Sequence, residues 1–173
     1  MKMSAQIYQK IFNMSSDKIC FIGIGNVLRN DDAIGTIIAE ELIKNKNVEK
    51  NAIVINVEDV LENYVYKIAE NSAKNIVLID AVRDINDAGA IGNIFFQELA
   101  SIATKDINNF STHKLALSIS EKIFSEHGKK TWLLGIIVNN TEFGTTITPA
   151  VSTAGVEICT KIINIYNQLA QAK

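Results

Sequence analysis

A chain of 173 residues, 47% apolar and 21% charged, has the size and composition of one ordinary globular domain with a substantial core. Its net charge of −2 leaves no basic footprint, which argues against sequence-independent nucleic-acid binding. No apolar run reaches the ~20 residues of a membrane helix, and residues 1–17 hold no apolar stretch ahead of a small-residue cleavage site. Neither a membrane span nor a signal peptide is expected, and the chain reads as cytoplasmic. Residues 1–17 read as an N-terminal extension, a short helix or a loose arm, ahead of a single domain over 18–173. Residues 19–24 form a short apolar run that ends in Gly25-Asn26, the pattern of a buried strand entering a tight turn. Residues 33–44 place Ile34, Ile37, Ile38 and Leu42 on one helical face. A second strand is expected over 52–57, a second helix over 60–70, and a third strand over 76–80 that ends on Asp80. A fourth strand follows over 91–96. Residues 112–126 then carry Leu115, Ile119, Ile123 and Phe124 on one helical face, with His127 at the end as a terminal cap or surface residue. The fifth strand spans 132–138, and Pro149, the single proline, opens a C-terminal helix that runs to about residue 169.

Alternating strands and helices predict a three-layer α/β sandwich: a five-stranded, mostly parallel, twisted sheet with helices on both faces. The link over 81–90 is too short and polar for a comfortable helical crossover, so the fourth strand is the candidate for antiparallel pairing. Cys20 and Cys159 lie in apolar stretches without metal-type spacing and read as buried, reduced thiols.

Ligands of open α/β sheets sit at the carboxyl ends of strands, where the winding direction reverses. With the first strand flanked by the second and third, that crevice lies between the ends of the first and third. Asp32 follows the first strand and Asp80 closes the third, so the two carboxylates should converge. Gly23-x-Gly25 between a strand and a helix raises a dinucleotide-binding alternative, with Glu58 or Asp59 as the ribose-binding acid. Leu28 stands where the third glycine belongs, and Asp31 and Asp32 occupy the helix start that would have to welcome a pyrophosphate. Helix capping explains one of these acids, and Asp31 is the choice for it. A solvated strand end would equally account for Asp80. His113 stands where a helix begins, where a charged imidazole is disfavoured and a neutral, partnered or metal-binding one is suited. A lone histidine is more often structural than a ligand. Two carboxylates and one imidazole would suit a divalent ion with open positions, without selecting zinc, nickel, manganese or iron.

The segment Gly23-Ile24-Gly25-Asn26-Val27-Leu28-Arg29-Asn30-Asp31-Asp32-Ala33-Ile34-Gly35 resembles the signature of the hydrogenase maturation endopeptidases. Ile79-Asp80-Ala81-Val82 is similar to that family's second motif, and Ser111-Thr112-His113-Lys114-Leu115-Ala116-Leu117 to its third. Leu134-Gly135-Ile136, Phe143-Gly144 and Ile147-Thr148-Pro149-Ala150-Val151 resemble its last strand, loop and helix. The chain departs from the pattern after the second strand, where Asn56 replaces an aspartate and the glycines and proline are missing, though Glu62 and Asn63 remain. Ile137-Val138 replaces the usual Gln-Pro after the last strand's Gly-Ile. The resemblance implies an α/β sandwich and gives Asp32, Asp80 and His113 the positions of the family's catalytic, metal-contacting residues. It implies an endopeptidase whose partner is the precursor of a nickel–iron hydrogenase large subunit. One cut after nickel insertion releases a C-terminal extension. Nickel is then supplied by the substrate, and an ion such as zinc or cadmium is expected at the site in isolated protein. A non-catalytic assembly factor with the same fold is the alternative.

Overall fold

A computed structural model describes residues 2–83, 89–102 and 113–172. In chain order the elements are α1 (Lys2–Met14), β1 (Ile19–Ile24), α2 (Ile34–Lys44), α3 (Lys46–Asn51), β2 (Ile53–Glu58), α4 (Val65–Ala69), β3 (Asn75–Arg83), β4 (Ile94–Glu98), α5 (Lys114–Glu126), β5 (Lys130–Val138) and α6 (Pro149–Gln171). The strands form one five-stranded sheet in the order β2-β1-β3-β5-β4. The pairs β1–β2, β1–β3 and β3–β5 are parallel, and β4 joins β5 antiparallel at the edge. The expected sandwich and its antiparallel fourth strand are both found. Residues 84–88, part of the link that suggested it, lie outside the described residues.

Side chains alternate across a strand, so each strand feeds two cores. Ile19 and Phe21 of β1, Val77, Ile79 and Ala81 of β3, and Trp132, Leu134 and Ile136 of β5 pack with α1, α2, α3 and α6 on one face. Cys20, Ile22 and Ile24, with Ile76, Leu78 and Val82, pack with α4 and α5 on the other. By the same alternation Asp80 stands in the row of Leu78 and Val82 and faces the side of α5. Residues 1–17 supply α1, whose Ile7, Tyr8 and Ile11 are buried in the first core. Its Lys10 Nζ lies 3.9 Å from the centre of the Trp132 ring, a cation–π contact.

Several expectations need correction. The helix expected over 60–70 is a 3₁₀ turn (Leu61–Asn63) followed by the short α4, and Leu61, Val65 and Ile68 reach the core from both pieces. The helix α3 was not foreseen. It has one buried residue, Val48, and rests on Asn45, whose side chain accepts from the Asn47 and Val48 N–H groups. On α5 the expected Phe124 is fully buried and Ile123 packs against the core, but Leu117 takes the buried place expected of Ile119, which is 50% exposed. The Leu115 side chain and residues 111–112 lie outside what the structure describes. β3 does not stop at Asp80 but continues to Arg83 alongside β5. No helix among the described residues is long and apolar enough to cross a membrane.

Candidate active site

The site begins with two glycines. A Cβ on Gly23 would lie 2.4 Å from Gly35 O, and one on Gly35 would lie 2.2 Å from the Ile24 and Ile79 carbonyl oxygens. Only bare backbone allows α2 to settle this closely onto β1 and β3. That contact brings the turn ahead of α2, a 3₁₀ turn over Asn30–Ala33, down to the ends of the strands. The β1–β3 ladder closes at Gly23 opposite Ile79. Asp80 is the next residue, so it lies at the mouth of the crevice although its strand runs on.

Asp32 and Asp80 are both buried, at 2% and 0% exposure. The Asn26 backbone N–H donates to Asp32 Oδ2 at 2.9 Å, closing the loop on itself. His113 occupies the N-cap position of α5, and its Nε2 lies 3.8 Å from Asp32 Oδ2, an ion-pair distance longer than a hydrogen bond. Burial alone would pull the His113 pKa down. The Asp32, Asp80 and Asp59 carboxylates outweigh it and hold the imidazole above its ordinary value. The structure therefore gathers Asp32 and His113 directly and sets Asp80 close enough to act on the same imidazole. Among the described residues no group of three or more His, Cys, Asp or Glu side chains is placed to hold a metal ion. The donor types suit a borderline divalent ion.

Asp31 does not cap its own helix, which has no side-chain cap. Its carboxylate turns the other way and accepts from Thr148 N–H at 2.6 Å and Thr148 Oγ1–H at 2.7 Å, at the N-cap of α6. The site loop is also tied to the segment after β5. Asn30, at φ +45°, accepts from Thr146 N–H through Oδ1 and donates to Asn140 through Nδ2. Arg29 Nε donates to Thr141 O at 3.1 Å, Arg83 donates to Thr141 Oγ1, and the Arg29 guanidinium lies over the Phe143 ring. Phe143, at 81% exposure, stands on one of the two linked loops, and the exposed Val27 and Leu28 on the other. His127 plays the bland part expected of it, with Nδ1 donating to Ile123 O at the end of α5. At the glycine turn that suggested a nucleotide, Asp32 O would lie 1.8 Å from a Cβ on Gly25. The loop is thus folded closely onto the helix start, which carries Asp31 and Asp32.

This α/β sandwich, with two buried carboxylates and an imidazole near its switch point, has counterparts of known fold. No family model matches the chain. A curated relative from Methanocaldococcus jannaschii, named "Putative hydrogenase maturation protease", is 28% identical over 178 residues, which cover 99% of this chain and 100% of the relative. The [NiFe] hydrogenase maturation protease HycI from Thermococcus kodakarensis KOD1 has the same fold, with a TM-score of 0.73, 23% identity, and 91% of this chain and 99% of that one covered. The maturating endopeptidase HybD from E. coli aligns with a TM-score of 0.67 at 20% identity, covering 87% and 93%. The chain is thus similar to the hydrogenase maturation proteases along almost its whole length, as its motifs indicated.

Proposed function

We propose that this protein is a cytoplasmic endopeptidase that removes the C-terminal extension of a [NiFe] hydrogenase large-subunit precursor once nickel has been inserted. The observation that carries the reading is the approach of His113 to Asp32 at the crevice mouth, with Asp80 acting on the same imidazole, on a loop that bears the family's signature. Peptide hydrolysis needs one group to take a proton from the attacking water and another to return one to the departing amine. A carboxylate of the Asp32–Asp80 pair takes the first proton. The His113 imidazole, kept protonated more readily than usual by its acidic neighbours, gives the second. Nickel carried by the substrate would supply Lewis acidity beside the scissile bond. The site would offer it the two carboxylates, and the imidazole only in its neutral form, before it takes up the proton it later gives to the amine. Zinc or cadmium added to isolated protein is expected to bind there weakly.

The test is to incubate purified protein with matched nickel-loaded and nickel-free precursor and to weigh the large subunit by mass spectrometry. The expected result is loss of the C-terminal extension from the loaded form alone. Equal cutting of both forms would remove the nickel requirement. Tight binding without shortening would make the protein an assembly factor.

A further inference from the structure

Where β2 leaves the sheet its register slips, with Gly23 opposite Asn56 but Ile24 opposite Glu58. Glu58 takes φ +51°, a region few residues with a side chain occupy. Such strain persists where surrounding bonds over-determine it. Here the Glu58 carbonyl accepts from Gly25 N–H at 2.8 Å, and the Glu58 N–H is held by Asn56 Oδ1 at 3.0 Å. The kink carries the next residue, Asp59, over the site loop, where its Oδ2 accepts from Asn26 Nδ2 at 2.8 Å. Asn26 Oδ1 in turn accepts from Leu28 N–H at 2.9 Å, and the Asn26 backbone N–H is the group that holds Asp32. Asp59 is exposed and contributes nothing to the core. Its hydrogen bond to Asn26 nevertheless leads, through one residue, to the site carboxylate.

We propose that Asp59 is a positioning residue of this site, which clamps the Asn26 side chain so that the Asn26 N–H aims the Asp32 carboxylate. The inference rests on the proteolytic reading for its effect on turnover, though not for its structural content. The same carboxylate adds to the negative field at His113. The competing view, an ordinary solvated aspartate that happens to meet Asn26, predicts no effect on the loop or on turnover.

The experiment compares Asp59→Ala, Asp59→Asn and Asn26→Ala in the full chain. With nickel-loaded precursor, Asp59→Ala should lower turnover about tenfold at nearly constant KM, since substrate contacts are untouched. Asp59→Asn keeps an oxygen for Asn26 Nδ2 and should recover most of that loss. The double variant Asp59→Ala/Asn26→Ala should be no slower than Asn26→Ala alone, because both residues act along one path. A second readout needs no substrate. In ¹⁵N–¹H spectra the Asn26 backbone amide should lose protection from exchange in Asp59→Ala and keep it in Asp59→Asn. Wild-type turnover with unchanged Asn26 protection in Asp59→Ala would overturn the proposal, as would Asp59→Asn being as damaged as Asp59→Ala. If the wild-type protein cuts no precursor, the proteolytic reading fails, and Asn26 protection alone decides the positioning role.

Discussion

The two faces of the sheet are built to different rules. The face under α1, α2, α3 and α6 is apolar from Ile19 to Trp132, and its longest helix, α6, spans 23 residues. The face under α4 and α5 has a five-residue helix and admits buried polar groups: Asp80 in the middle of an apolar strand, Ser120 on α5 and Thr131 on β5. Lys129 is buried beside it, its Nζ donating to the Asn71 and Ala73 carbonyls at 2.6 Å each. Burying charge costs stability unless it is paired. A fold that keeps Asp32 and Asp80 out of water is therefore helped by a second face that is mainly apolar packing, where the buried Asp31 and Thr36 are each hydrogen-bonded. The difference assigns stability to one side and chemistry to the other.

The sharpest way to break this division is on the packing face. Phe21 is fully buried in β1, with the Tyr166 ring edge-on at 6.2 Å. Phe21→Ala is expected to cost about 3–5 kcal/mol in urea unfolding. A loss below about 1 kcal/mol would mean that the packing face is not the one that holds the fold.

Asp31→Ala comes next, because it strips both acceptors from Thr148 at the start of α6. The expected cost is about 1–3 kcal/mol. Thr148→Val should overlap with it strongly in a double-mutant cycle. Additive effects would show that the two side chains do not act together.

Alkali probes one thiol on each side, Cys20 buried as expected and Cys159 only half-buried. Burial pushes Cys20, on the α5 face, from an ordinary 9.0 to about 12, and Cys159, on α6, from 9.0 to about 11. Above the ordinary value the unfolded chain releases these protons while the folded chain keeps them, so stability should fall as pH rises from 9 through 11 to 12. Urea midpoints at stepped pH would measure it, with Cys20→Ala and Cys159→Ala each flattening the slope. A slope unchanged in both variants would place the alkaline sensitivity elsewhere.

The smallest stability effect should accompany a total loss of activity. His113→Ala is expected to abolish precursor cleavage yet change unfolding free energy at pH 8 by under about 0.5 kcal/mol. The raised imidazole pKa means that the contribution of His113 to stability is present below its unfolded value near ~6.5 and fades as pH rises through the folded one. The variant should therefore differ more from wild type at pH 5.5 than at pH 8. Full cleavage by His113→Ala would remove the imidazole from the chemistry.

Much of this arrangement was legible in the residues. β1 was bounded correctly because an apolar run stops at glycine, and α6 because proline marks its first turn. The placing of Asp80 near the crevice that holds Asp32 followed from strand order, although β3 runs on past it. What escaped reading was set by contacts distant in sequence. Nothing near Asp31 announces that its carboxylate serves Thr148, and nothing near Asp59 announces the kink at Glu58 that turns it toward Asn26. The α5 stripe was right at Ile123 and Phe124 but wrong at Ile119, because only packing against the sheet chooses between Leu117 and Ile119. The helix α3 has a single apolar residue in the core, too little for a periodicity to register, although the Asn45 cap was present as a signal.

The bond between Asp31 and Thr148 joins positions 117 residues apart. A ribosome makes the acid long before its partner, so a nascent chain carries the whole first motif with that carboxylate still in water. The crevice wall acquires its final form only when the last helix has emerged and docked. The shape of the first motif thus depends on a helix far along the chain, and in Asp31→Ala the Thr148 amide, which donates to that carboxylate, should lose protection from hydrogen exchange.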